Sequence, residues 1–195
     1  MSVEPHNRIS IEDYLAAERR AETKSEYLDG EIFAMSGASR AHNLLALNAA
    51  ASVHGQLRGR PCETYAGDMR VHIPAAGLYT YPDVTVVCGE PRFDGSELDT
   101  LLNPTLLIEV HSPSTEGYDR GKKFAHYRTL DSLREYVLVA QEEVRVEVFT
   151  RRDDGHWLLS EASRLEETIP LASIGCELRL ADVYERVIDS PAHAR

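Results

Sequence analysis

The stretch Thr105-Leu106-Leu107-Ile108-Glu109-Val110-His111 decides how this chain folds. Its apolar, β-prone run predicts a buried strand over Leu106 to His111, and a carboxylate interrupts that strand. An ionised group left unpaired inside a core costs several kcal/mol, so Glu109 needs a compensating cation, either a side chain or a metal. A second acid has a similar setting, because Asp83 follows Tyr81-Pro82 and opens an apolar run predicted as a strand to Val87. Either acid alone reads as a salt-bridged or edge-exposed residue. Two of them on neighbouring strands, with lysines nearby, point to a site, and oxygen ligands of this kind suit a hard cation such as Mg²⁺ or Mn²⁺.

Working outward, Ser10 followed by Asp13 predicts a capped amphipathic helix running to about Thr23. Asp29-Gly30 between Tyr27-Leu28 and Glu31-Ile32-Phe33 is the strongest hairpin signal in the chain. Leu44, Leu45, Leu47, Ala51 and Leu57 recur near helical spacing from Ser39 to Gly59, with Pro61 just beyond. Further strands are predicted at Glu63 to Tyr65, Met69 to Ile73, Tyr136 to Ala140 and Val144 to Thr150, and a third helix at Asp119 to Leu130. The alternation of helices and strands predicts a mixed α/β fold with one central sheet, a single domain over residues 10–188, and tails at 1–9 and 189–195.

The 195 residues carry 21 Lys and Arg against 32 Asp and Glu, a net charge of −11. That sign argues against nucleic-acid binding through a broad basic face, while leaving local contact open if a bound cation offsets the carboxylates. Arg58, Arg60, Arg70, Arg120, Lys122 and Arg128 are the candidates for such a local basic surface. No apolar run reaches membrane-span length, and MSVEPHNRIS lacks the n-region and h-region of a signal peptide, so a cytoplasmic protein with no membrane partner is expected. Cys62, Cys88 and Cys176 are odd in number, far apart and without a CxxC pair, which predicts reduced, packed thiols.

Asp119, Lys123 and Tyr127 stand at i, i+4 and i+8, one stripe of a helix, whereas Lys122 projects about a hundred degrees away toward solvent. Lys123 is either an intrahelical partner of Asp119 on a wet surface or a lysine aimed at the carboxylate pair. His42, near the start of the second helix, is either a polar residue of an ordinary helix start or a phosphate contact. There is no P-loop, dinucleotide fingerprint, HExxH or Gly-x-Ser-x-Gly.

Tyr81-Pro82-Asp83-Val84, then Leu107 to Thr115, then Asp119-Arg120-Gly121-Lys122-Lys123 through Tyr127 occur in the order found in a known family. The chain resembles the Uma-type restriction endonuclease family, a branch of the PD-(D/E)XK nuclease superfamily. The likeness runs from Ile11-Glu12-Asp13-Tyr14 through Glu26-Tyr27-Leu28-Asp29-Gly30-Glu31 to about Val187. It implies a restriction-endonuclease-like α/β fold, a mixed central β-sheet flanked by helices, with Asp83 and Glu109 as metal-binding carboxylates and Glu26 as an extra acid from the first helical region. The superfamily's lysine two residues after the second acid is replaced here by His111, and the likeness maps that role onto Lys123. Strand alternation puts His111 on the face of Glu109, as a ligand, a proton carrier or a packed, hydrogen-bonded core histidine.

The function so implied is Mg²⁺-dependent hydrolysis of DNA phosphodiesters, with Mn²⁺ able to substitute, catalysed by Asp83, Glu109 and Lys123 in a homodimer. Two alternatives stand beside it: a nuclease fold retired to protein or nucleic-acid binding, and a metal-dependent hydrolase of small phosphate esters.

Overall fold

The computed structural model describes residues 8–188; residues 1–7 and 189–195, and with them most of the predicted tails, lie outside the described residues. Helix α1 (Ile11–Glu18) is capped by Ser10, whose Oγ accepts the Asp13 N–H at 3.1 Å. It stops well short of Thr23 because the Glu18 carboxylate turns to accept the Ser25 N–H at 2.8 Å, where β1 (Ser25–Leu28) begins. β1 and β2 (Glu31–Ala34) form the expected hairpin. Asp29 and Gly30 sit at φ +47° and +95°, the pair of left-handed residues that a type I′ connection requires.

Helix α2 (Arg40–Leu57) begins at Ser39, whose Oγ accepts the His42 N–H at 3.1 Å. Its buried stripe is Leu45, Ala49, Ala50, Val53 and Leu57, while Leu47 is exposed. The strands that follow are β3 (Cys62–Ala66), β4 (Arg70–Ile73), β5 (Leu78–Thr80), β6 (Val84–Cys88), β7 (Thr100–Leu101) and β8 (Leu106–His111). The segment predicted as one helix from Asp119 is a helical passage of three parts, namely α3 (Glu116–Tyr118), a π-helical turn (Asp119–Lys123) and α4 (Phe124–Tyr127). Strands β9 (Glu135–Ala140), β10 (Val146–Arg151), β11 (Trp157–Ala162), β12 (Thr168–Leu171) and β13 (Cys176–Arg179) and helix α5 (Leu180–Val183) complete the described chain.

The central sheet is mixed and six-stranded, in the order β11-β10-β9-β8-β6-β3, with β8 and β9 parallel and the other pairs antiparallel. Strand alternation divides β8 between two cores. Leu106, Ile108 and Val110 face α2 together with Val137 and Val139 of β9 and Leu178 of β13. Leu107 faces the other way, with Tyr136, Leu138, Phe124 and Tyr127, toward Val71, Ile73 and Leu78 of a second sheet ordered β2-β1-β5-β4-β7. Burying an aliphatic side chain of this kind contributes about 1.5–3 kcal/mol, so both faces of β8 are strongly specified. Glu109 and His111 share the Leu107 face, between the sheet and the α3–α4 passage.

Two expectations are corrected here. Cys62 and Cys88 are not thiols but a disulfide, because they are register partners across β3 and β6; Cys176 is free and buried. A 26-residue separation carries no local signature of that pairing. Thiol titration of the denatured, unreduced protein is expected to find one reactive cysteine, and three after reduction; three at the outset would show that the bridge does not form. The candidate basic surface loses two of its six members, while Arg58, Arg60, Lys122 and Arg128 remain exposed. Arg70 is buried and bonds Thr100, Tyr81 and Asp99, and Arg120 is paired with Glu116 and Glu147.

Candidate active site

Val84 pairs with Ile108 in the antiparallel β6–β8 ladder, so Asp83, one residue before β6, stands opposite Glu109. The backbone locks this arrangement, since Asp83 Oδ2 accepts the Val110 N–H at 2.8 Å. The other oxygen, Oδ1, receives His42 Nε2 at 2.8 Å. The cap at Ser39 fixes the first turn of α2 and with it His42, so a helix start supplies the contact that orients a carboxylate on the sheet. That bond holds the His42 pKa above the usual imidazole range, against the opposing effect of burial.

Glu109 is almost wholly buried on β8. Lys123 Nζ lies 2.8 Å from its Oε1, and Tyr127 Oη donates to the same oxygen at 2.6 Å. Oε2 takes no hydrogen bond among the described residues. Burial, with Asp83 and Asp119 nearby, pushes the Glu109 carboxyl up to about 8, while Lys123 pulls against that shift. The compensating cation that the buried acid demanded is therefore a lysine side chain.

Lys123 is itself nearly inaccessible, on the π-helical turn, with Glu26 Oε1 at 3.6 Å and Asp119 Oδ1 at 4.0 Å. Asp119, Lys123 and Tyr127 share the inward stripe, and Lys122 is exposed. Burial alone would lower the lysine pKa, but the carboxylates of Glu109, Glu26 and Asp119 outweigh it and hold it well above the ordinary value. The same carboxylates thus favour the ammonium form of Lys123. Glu26 belongs to β1, not to the first helical region, and also accepts a hydrogen bond from Thr80 Oγ1.

Asp83, Glu109 and Lys123 come together, and Glu26 joins them on the lysine side. The roles of His42 and Tyr127 as partners of the two acids escaped the sequence. Tyr127 carried a trace in its place on the Asp119–Lys123 stripe; His42, 41 residues from Asp83, carried none. His111 packs as expected but is not hydrogen-bonded, since neither ring nitrogen finds a partner among the described residues.

Among the described residues no group of three or more His, Cys, Asp and Glu side chains converges on one point. The donors that do face one another are two carboxylates, Asp83 and Glu109. That set fits Mg²⁺, which demands oxygen ligands and is commonly held by one or two carboxylates, with water and substrate oxygens in its other positions. It does not make a closed structural zinc site, which uses four nitrogen or sulfur ligands.

Comparison with known proteins gives three findings. Residues 11–181 match the model of the Uma2 family, described as "Putative restriction endonuclease". Two uncharacterized proteins of Synechocystis sp. are similar over most of their length: slr1290 is 36% identical over 180 residues, covering 92% of this chain and 93% of that protein. The other, sll1609, is 39% identical over 153 residues, covering 78% and 86%. The crystal structure of "a putative nuclease belonging to DUF820" from Anabaena variabilis superposes with a TM-score of 0.72 at 17% identity, over 92% of this chain and 99% of that one. At that identity the likeness speaks for the fold.

Proposed function

Because this chain belongs to the Uma2 family, we propose that it is a divalent-cation-dependent nuclease that hydrolyses phosphodiester bonds of DNA at Asp83, Glu109 and Lys123. One observation carries this reading. Glu26, Glu109 and Asp119 crowd around a single buried ammonium and Asp83 stands opposite Glu109, a crowding of acids that, with burial, pushes the Glu109 carboxyl up to about 8. A divalent cation bound there would relieve this crowding by favouring the ionised carboxylates.

Mg²⁺, or Mn²⁺ in its place, held by Asp83 and Glu109 with Glu26 as an extra acid on the lysine side, would supply Lewis acidity toward the scissile phosphate. The protein supplies the rest. The Val110 N–H and His42 hold the Asp83 carboxylate in one orientation, and Tyr127 does the same for Glu109. Lys123, held toward its ammonium form by the surrounding carboxylates, would donate hydrogen bonds to the oxygens on which charge develops at phosphorus. Fixed donors of this kind act without reorganising during the reaction, which is what makes them effective.

The test is cleavage of supercoiled plasmid with Mg²⁺ or Mn²⁺, combined with calorimetric titration of the protein with Mn²⁺ alone. Nicking that chelation abolishes, together with one saturable Mn²⁺ site, is the expected result. Absence of both would leave a retired nuclease fold, and turnover of a small phosphate ester without DNA cleavage would favour the third reading. A nuclease that cuts both strands commonly acts as a two-fold dimer, and we propose that the contact lies on β11, an edge strand of the central sheet that exposes Leu158 and Leu159. Sedimentation velocity is expected to show a dimer that Leu158→Lys with Leu159→Lys converts to a monomer.

A further inference from the structure

A cavity of about 280 Å³ opens at the C-terminal ends of the parallel strands β8 and β9, where ligands of α/β sheets characteristically bind. His111, 3% exposed, lines it, with both ring nitrogens unpartnered among the described residues. A buried imidazole without partners is costly, and it offers a donor and, when neutral, an acceptor. Pro113 and Ala140 add apolar surface, and Gln141 adds an amide. Around them stand Glu116, Glu142, Glu143 and Arg145, and Arg145 is already engaged by Glu116 at 2.8 Å and Glu143 at 3.0 Å.

This chemistry selects its occupant. Three carboxylates against one guanidinium that two of them already pair disfavour a phosphate, while an uncharged planar group with both donors and acceptors on its edge matches His111, Gln141 and the acidic rim. The cavity also lies beside the candidate active site. His111 follows Glu109 by two residues on the same strand face, about 6.6 Å at the usual rise per residue, a span that one nucleotide of a DNA strand bridges.

From these observations we infer that the His111 cavity is a nucleobase pocket, taking an unpaired base next to the scissile phosphate and favouring bases with an exocyclic amino group. The inference rests on the nuclease reading for the identity of the strand, and on the cavity alone for the base. It gives the enzyme a preference for single-stranded or distorted DNA, because a base inside a duplex cannot reach a pocket of this shape without leaving the stack.

Titration with deoxycytidine, deoxyadenosine and thymidine, which carry no phosphate to occupy the catalytic carboxylates, tests it by NMR of the histidine rings. Saturable movement of the His111 resonance is expected with the first two, with about tenfold weaker binding of thymidine. Asp83→Asn should retain the response, and His111→Phe should abolish saturable nucleoside binding followed by calorimetry. Gln141→Ala, at the rim, should weaken it severalfold and keeps the test decisive if His111→Phe does not fold. A His111 signal unmoved by millimolar nucleoside, or equal binding by the three nucleosides, overturns the proposal. Cleavage without nucleoside binding would sink the pocket and spare the nuclease; nucleoside binding without cleavage would do the reverse.

Discussion

Replacing Asp83 with Asn is expected to lower the rate of DNA cleavage by about 10³-fold or more, equivalent to about 4 kcal/mol of lost transition-state stabilisation. The fold should hardly notice. The Asn side-chain oxygen can still accept the Val110 N–H, so the backbone donor that Asp83 satisfies keeps its partner, and the side chain is 19% exposed rather than sealed in the core. What disappears is the negative charge opposite Glu109, and with it the two-carboxylate grip proposed here for a hard cation. The measurements are initial rates of plasmid nicking, calorimetric Mn²⁺ titration and the melting temperature of the same preparation. A variant that cuts like the parent places the chemistry elsewhere. A variant that loses both cutting and stability would show that Asp83 is a structural ion, whose contacts with His42 and Val110 are its purpose.

The second large effect lies away from the site, at Glu135. This first residue of β9 is completely buried, yet no lysine or arginine contacts it among the described residues. Its carboxylate is satisfied by dipoles, accepting the Ala172 N–H at 2.9 Å, the Ser173 N–H at 3.1 Å, the Ser173 hydroxyl and the Thr150 hydroxyl at 3.2 Å. These bonds pin the turn between β12 and β13 to the central sheet. Glu135→Ala strips four donors of their acceptor at once, and each unsatisfied buried group costs about 1–3 kcal/mol less whatever water recovers. A net loss of about 3 kcal/mol is expected, which for a chain of this size lowers the melting temperature by about 6–12 °C. Glu135→Gln should fall between the variant and the parent, because its amide keeps one acceptor but turns an N–H toward a donor. Calorimetric melting distinguishes the three proteins. Equal melting points would mean that water replaces the carboxylate without penalty.

The two positions illustrate which features local sequence exposes. The Asp29-Gly30 hairpin, the Ser10 cap and the strand at Leu106–His111 were legible because each depends on residues close in the chain: two left-handed turn residues, one hydroxyl and one amide, one apolar run. The later strands were not. β11 reads Trp157-Leu158-Leu159-Ser160-Glu161-Ala162, with adjacent leucines exposed and no alternation, and β12 contains Pro170, which argues against a strand. Arg70 looked like surface charge until packing showed its guanidinium enclosed by Tyr81, Thr100 and Asp99.

By itself the sequence determined that a carboxylate would lie inside a strand and would require a cation, because burial of charge is a cost that any fold of this run must meet. It also determined that Lys123 and Tyr127 would share a helical stripe. Only the tertiary structure decided that the cation beside Glu109 is Lys123, that His42 orients Asp83, that Cys62 meets Cys88, and that His111 lines a cavity with no partner among the described residues. Those outcomes depend on strand register and on the docking of α2 and the π-helical turn against the sheet, interactions between residues far apart in the chain. Local propensity and periodicity have no term for them.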